Sequence, residues 1–220
     1  MPWPPARQLA TNWSSTRRPM RKSRRKRADR MGLQLLEAPT TQPVSLEVAK
    51  KHLRIAPDDT DQDDEVARIV RAATAWAERI TQRALCQQRW RLHLDGFPCG
   101  AVLVPRPPLQ SVEAVNYTDS LGFVQTLDTQ SYIVNPFEIL GQVSLAQGES
   151  WPATRKQAMS VKIDFTAGYA TVPEDIVSAI LLLVGHLDQN REQVVTGATP
   201  AVLPMGVDSL LAPYCVPGVP

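Results

Sequence analysis

The spacing of apolar residues along the chain changes twice, and this change constrains the fold most strongly. Between Val66 and Ile80 apolar residues recur at i, i+3, i+4 and i+7, which predicts an amphipathic helix. From Trp90 the spacing falls to two, and it returns to the helical period between Ile176 and Leu187. Helical and strand patterns are therefore segregated along the chain, which indicates an α+β fold rather than a doubly wound α/β fold.

The predicted architecture is a helical bundle of about three main helices with an inserted block of short antiparallel strands and an extended C-terminal tail. Ser45 is placed to cap a short helix over 46–53, an Asp-rich turn precedes the long helix, and Pro173 starts the last one. The predicted strands cover residues 90–94, 101–104, 112–118, 123–127, 132–134, 142–145 and 159–165.

The charge of the chain divides sharply at Met31. Residues 1–31 carry ten Lys or Arg against one acid, whereas the remainder carries fourteen basic and twenty-one acidic residues. A head of charge +9 thus precedes a body of charge −7. We expect three parts: a disordered basic extension over 1–31, a folded domain over 32–202, and an extended docking tail over 203–220. The break favours Met31 as the natural start, with the first thirty residues an upstream extension of the reading frame.

Several functional classes find no support in the sequence. The longest apolar run, from Ala179 to Gly185, is far too short to span a membrane. Three widely spaced cysteines argue for a reducing compartment and against a disulfide scaffold or a zinc ribbon. Phosphate-binding glycine loops and the nucleophile motif of hydrolases are absent from the sequence. No catalytic residue and no cofactor is predicted.

Isolated candidates for chemistry have a simpler structural interpretation. His52, His93 and His186 lack a second histidine or cysteine at metal-ligand spacing, so structural roles are expected. An acidic patch partly resembles a calcium loop, but it lacks the central glycine and the glutamate at the twelfth position. Negative charge at the start of the long helix, where it suits the helix dipole, is the expected explanation. The patch consists of Asp58, Asp59, Asp61, Asp63, Asp64 and Glu65.

The basic head is the one candidate for nucleic-acid contact. A cluster of cations can bind phosphates non-specifically through counterion release. The cluster consists of Arg21, Lys22, Arg24, Arg25, Lys26 and Arg27. A nucleic-acid-binding accessory protein that uses this segment is therefore the alternative function, although no recognition fold accompanies the segment.

The body also resembles a known family over about 170 residues. The matching segments are PVSLEVAKKHLRI at 43–55, DDEVARI at 63–69, RAL at 83–85, WRL at 90–92, LDGFP at 94–98, LVPRPPLQSV at 103–112, FTAGY at 165–169, VP at 172–173, AILLLVGH at 179–186 and NRE at 190–192. In this order they resemble the head–tail connector, or head-completion adaptor, proteins of long-tailed phages, prophages and gene transfer agents. The basic head has no counterpart in that family.

The resemblance implies a structural protein without catalytic activity. Such proteins form a ring, typically of twelve subunits, beneath the portal after DNA packaging. The ring extends the DNA channel and offers a surface to the next adaptor, stopper or tail protein. The expected location is the neck of the virion, with assembly in the cytoplasm of the bacterial host. DNA would pass through the channel without specific binding, and the acidic body suits that passage because it does not attract phosphate.

The C-terminal segment is the predicted contact with the portal or with a neighbouring subunit. It contains apolar side chains without a clear period of their own, which is typical of a segment that docks elsewhere. The predicted interface residues are Leu203, Met205, Val207, Leu210, Leu211 and Tyr214.

Overall fold

The computed structural model describes residues 31–190 and 205–217. Eight strands and four helices follow one another in these ranges. The strands are β1 Met31–Glu37, β2 Gln88–Leu94, β3 Val102–Val104, β4 Leu109–Thr118, β5 Val124–Thr126, β6 Tyr132–Asn135, β7 Gly141–Leu145 and β8 Val161–Ala167. The helices are α1 Leu46–Leu53, α2 Asp63–Thr81, α3 Glu174–Gln189 and α4 Met205–Leu211, with 3-10 turns at Thr129–Ser131 and Ala212–Tyr214. The predicted α+β class is confirmed.

The helices begin where the sequence supplies capping groups and negative charge. The Ser45 side chain accepts the Val48 N–H at 3.3 Å and thereby caps α1. Asp63, Asp64 and Glu65 occupy the first turn of α2, where their carboxylates favour the positive end of the helix dipole. Helix α3 begins at Glu174, one residue after the predicted start at Pro173, which lies at its N-cap position. Among the described residues, no helix is long and apolar enough to cross a membrane.

One hydrophobic core holds the helices together. Val66, Ile69 and Val70 of α2 pack with Ile176 and Ile180 of α3. Helix α4 completes this core from a distant part of the sequence. We call α1, α2, α3 and α4 with this core the helical region.

A second core lies between two antiparallel sheets. The five-stranded sheet has the order β1-β2-β8-β4-β5, and the three-stranded sheet has the order β3-β7-β6. Leu92, Ile163 and Phe165 of the larger sheet share one core with Val104 and Val143 of the smaller one. We call the two sheets and this core the sheet region.

Gly168 lies at the junction between the two regions. Its N–H donates to the Pro108 carbonyl at 2.9 Å, and its φ of +127° favours glycine. A β-carbon there would lie 2.1 Å from the Cys86 carbonyl oxygen. This close approach lets the chain leave β8 and enter the helical region beside Leu85, whose carbonyl accepts the Tyr169 N–H at 3.3 Å.

Besides the start of α3, three features differ from the sequence-based expectations. Strand β1 was not predicted, because it is an edge strand with exposed residues on both faces and its identity depends on pairing with β2. Strand β8 begins at Val161 rather than at Met159, whose φ is +58°. The described part of the tail is helical rather than extended, because α4 buries Val207 and Leu211 in the helical core.

Candidate assembly surfaces

The predicted C-terminal interface lies against its own subunit. Val207 and Leu211 are fully buried in the helical core. The Tyr214 hydroxyl donates to Asp175 Oδ2 at 3.1 Å, and the Tyr214 carbonyl accepts from Arg83 Nε at 2.6 Å. The segment from α4 onwards is therefore bound to α3 and to Arg83, which follows α2.

Part of the predicted interface set keeps surface for a partner. Leu210 and Tyr214 are half-buried, and Met205 begins α4. Leu203 lies outside the described residues, as do the six cations between Arg21 and Arg27. Docking of this tail on the portal or on a neighbour stays a prediction.

Two hairpin tips of the sheet region carry the most exposed large apolar side chains. The sequence predicts a hairpin loop at Asp119–Gly122, but it did not identify either tip as a contact surface. The first, which we call the β4–β5 tip, covers residues 119–124. Leu121 is 79% exposed, and Phe123 and Val124 are also exposed. Exposed apolar groups clustered on a protruding turn are typical of a protein–protein contact.

The β4–β5 tip is held in one conformation by a single carboxylate. Asp119 Oδ1 accepts the backbone N–H groups of Leu121, Gly122 and Phe123 at 2.8–2.9 Å. Partial desolvation, the largest single contribution, acts to raise the pKa of Asp119. The three backbone N–H groups and the Gln125 side chain together outweigh it, so the pKa is lowered. A preorganised turn loses little conformational entropy when a partner binds.

The second tip, which we call the β6–β7 tip, covers residues 136–140. Phe137 is 95% exposed, and Glu138 and Ile139 beside it are exposed too. The Asn135 side chain accepts the Phe137 N–H at 3.1 Å, which shapes the start of the turn. The Glu138 carboxylate has no ion pair or hydrogen bond within residues 31–190 and 205–217.

A groove of about 700 Å³ lies on the helical region between α1 and the turn that precedes α2. Its lining combines apolar side chains of Leu46 and Ile55 with two exposed cations, Lys51 and Arg54, and one exposed acid, Glu47. We call it the α1 groove. Its volume falls in the range of pockets that enclose small ligands or several side chains.

A buried ammonium group makes the wall of the α1 groove rigid. Lys50 is only 5% exposed, and its Nζ donates to the carbonyls of Pro57 and Asp59 at 3.1 and 2.6 Å. It also pairs with Asp63 Oδ1 at 2.8 Å. The Lys50 ammonium therefore neutralises Asp63, one carboxylate of the acidic patch, and donates to the two carbonyls of the turn.

The outer face of the five-stranded sheet is polar. Arg91 and Asp164 form a bidentate pair at 2.6 and 2.7 Å, which lowers the pKa of Asp164. Arg89 of β2 pairs with Glu37 of the neighbouring strand β1 and with Glu113 of β4, on the far side of β8. Because these charges are already paired with one another, this face does not offer a docking surface for apolar groups.

The histidines and cysteines form no cluster that suggests chemistry. Nowhere in residues 31–190 and 205–217 do three or more His, Cys, Asp or Glu side chains lie together as metal ligands. His93 lies 3.1 Å from Gln34 Oε1, and burial lowers its pKa. The three cysteines are free, and burial raises the pKa of Cys86.

Comparison with solved structures identifies the fold. No protein-family model matches the chain, and no curated protein matches it. A chain from the neck of an empty gene transfer agent particle, computed with C6 symmetry, superimposes with a TM-score of 0.71 at 25% identity, covering 86% of this chain and 97% of the other. This chain has the fold of a gene transfer agent neck protein.

Two further solved structures agree with that identification. A chain from the virion of the native particle gives a TM-score of 0.68 at 23% identity over 86% of this chain and 97% of the other. A chain from the native neck computed with C12 symmetry gives 0.62 at 22% identity over 84% and 98%. The resemblance to head–tail connectors is confirmed, and the predicted location in the virion neck agrees with these neighbours. A structural role in the neck is what they support.

Proposed function

We propose that this chain is a head–tail connector subunit that assembles as a ring on the portal vertex after DNA packaging. The observation that carries the proposal is the near-complete superposition on chains from particle necks, whose maps were computed with six-fold and twelve-fold symmetry. A ring of twelve identical subunits, stacked on the portal, extends the DNA channel and presents a surface to the next adaptor, stopper or tail protein.

The distribution of apolar surface supports assembly. A closed ring needs two different contact surfaces on each subunit, because each copy contacts its two neighbours head to tail. The chain has protruding apolar tips in the sheet region and a concave groove in the helical region. The net charge of −7 on residues 32–220 favours DNA passage without retention, since it repels phosphate.

The deciding experiment is imaging of the purified chain mixed with its portal protein. We expect a twelve-fold ring stacked on one face of the portal in negative-stain class averages. A chain that stays monomeric beside an undecorated portal over the whole range of concentrations would refute the proposal.

The basic head supports a second candidate, a nucleic-acid-binding accessory protein. The ten cations of residues 1–31 are the observation that favours it. A variant that starts at Met31 separates the two, because strand β1 begins at that residue and is retained. The connector proposal predicts an unchanged ring, whereas the alternative predicts lost DNA retention in a gel-shift measurement.

The C-terminal tail is proposed as an additional contact with the portal or a neighbour. Leu210 is half-buried and accessible, so Leu210→Ser tests the contact with less damage to the core than a change at Leu211. We expect weaker portal attachment with only a small decrease in the thermal midpoint, because Leu210 packs partly against the helical core. Portal attachment and ring formation both equal to those of the unmodified chain would exclude Leu210 from either contact.

A further inference from the structure

We propose that the β6–β7 tip of one subunit inserts into the α1 groove of a second copy of this chain, and that this contact closes the ring. The inference rests on the proposed function, because it concerns the contact between neighbours in that ring. The tip is then the occupant of the groove, and each subunit has one surface that inserts and one surface that receives.

The tip is built to be covered by another molecule. Phe137 and Ile139 point apolar surface into water on either side of Glu138. The carboxylate between them has no partner among the described residues, so it remains available for a cation. A short turn that presents apolar, acidic and apolar side chains in succession requires a site with an apolar floor and a basic rim.

The α1 groove meets that requirement. Leu46 and Ile55 contribute its apolar lining, and Lys51 and Arg54 contribute two exposed cations. Neither cation has an ion pair within residues 31–190 and 205–217. Glu47 also lines the groove, so beyond the Lys50–Asp63 pair the lining carries two cations and one acid, a net positive charge. The single negative charge of the tip complements this net charge, and such complementarity favours one partner and one orientation.

Rigidity of the groove favours the same conclusion. The three hydrogen bonds of Lys50 hold the turn before α2 against α1. The groove therefore exists before the tip arrives, which lowers the entropic cost of binding.

The complementary charges of the tip and the groove favour a second copy as the occupant, and the two surfaces belong to different regions of the subunit. The tip projects from the sheet region, and the groove lies on the helical region. Contact between different surfaces of identical subunits is heterologous, and it closes into a ring when the rotation per subunit divides a full turn. The β4–β5 tip is the weaker candidate for the groove, because the carboxylate of Asp119 is already engaged by its own turn.

Crosslinking in the assembled ring tests the contact directly. A photoreactive phenylalanine analogue replaces Phe137 in the full chain. Rings are then assembled on the portal from a mixture of unlabelled and ¹⁵N-labelled subunits. After irradiation, crosslinked peptides are identified by mass spectrometry. We expect mixed-label peptides that join position 137 to residues 46–63 of a second copy. Crosslinks to the portal, or to another part of a second copy, would overturn the inference while leaving the ring itself intact.

Charge reversal provides the second measurement. Glu138→Lys should raise the concentration needed for ring formation by about tenfold or more, since it places like charges together. Combining it with Lys51→Glu and Arg54→Glu should restore assembly. Glu149→Lys is the matched control, because Glu149 is an exposed acid on a different turn and should leave assembly unchanged.

Arg54→Gly removes one rim cation without straining the fold. Arg54 has a φ of +61°, a conformation that glycine adopts more readily than arginine. We expect monomer stability to be kept and ring formation to weaken. If Glu138→Lys and Arg54→Gly both leave ring assembly unchanged, the inference is wrong but the proposed function stands. If the unmodified chain forms no ring at all, the proposed function is wrong as well.

Discussion

The helical region and the sheet region differ in how far they expose their large apolar side chains to solvent. In the helices, the exposed large apolar residues, Val48, Ile80, Leu182 and Leu187, are each less than half exposed. In the two hairpin tips, Leu121, Phe123, Val124 and Phe137 are each more than half exposed. The helical region buries its apolar side chains in its own core, which α4 completes. The sheet region also has a buried core, but its turns expose apolar side chains to partners. Stability and assembly therefore depend on different parts of one subunit.

The largest expected effect lies at the junction of the two regions. Gly168→Ala adds a methyl group 2.1 Å from the Cys86 carbonyl oxygen at a φ of +127°. We expect a loss of about 4 kcal/mol or more in the free energy of unfolding, measured by urea titration. Gly148→Ala is the control, because its φ is +86° but no atom lies within 4 Å, and it should cost only about 1 kcal/mol. Equal losses would mean that the close approach at Gly168 contributes nothing.

A pair of leucine truncations tests the contrast between core and tip. Leu211→Ala removes a fully buried side chain from the helical core and should lower the free energy of unfolding by about 3 kcal/mol. Leu121→Ala removes an exposed side chain from the β4–β5 tip and should change it by less than about 0.5 kcal/mol. Similar effects for the two would show that the regions do not divide their tasks as described. Measurement at several protein concentrations checks that α4 stabilises its own subunit.

The buried ammonium of the helical region is the next test. Lys50→Met leaves the carbonyls of Pro57 and Asp59 and the carboxylate of Asp63 without their donor. We expect a loss of about 2 kcal/mol in unfolding free energy and faster amide exchange in residues 57–63. Lys51→Met, one residue away and exposed, should have little effect on either quantity. Unchanged exchange in the Lys50 variant would contradict the structural role of the ammonium.

The smallest expected effect concerns the ion pair of the sheet region. Arg91 lowers the pKa of Asp164, so this carboxylate stabilises the fold above the ordinary aspartate pKa of about 3.9 and the contribution is lost as the pH falls through the lower folded value. Asp164→Asn should therefore cost about 1 kcal/mol at pH 7 and progressively less under acid conditions. The measurement is urea unfolding at neutral pH and below pH 4 for the variant and for Glu149→Gln, an exposed acid. A cost that does not depend on pH would exclude the ion pair as its cause.

The sequence predicted the elements whose signals are local. Helix α1 has the predicted bounds, and α2 and the alternation around Leu92 and Ile163 agree with the structure. Strand β1 and helix α4 were missed because neither is defined by its own pattern. Strand β1 depends on pairing with β2, and α4 depends on a core formed by α2 and α3.

The candidate contact surfaces were predicted less well than the fold. Val207 and Leu211 were expected at an interface, yet they are buried in their own subunit. Phe123 was assigned to a strand and Phe137 to no element, although both lie on exposed turns. A sequence records that a residue is apolar, but exposure depends on which other segments cover it.

The sequence by itself determined the α+β class, the segregation of helices from strands, and the ordered resemblance to head–tail connectors, because hydrophobic period and capping chemistry act within a few residues. Only the tertiary structure decided the order of the strands, the docking of α4, and the exposure of the two tips beside the closed helical core. These features depend on contacts between segments far apart in sequence, and burial is a property of the whole fold and not of any single segment.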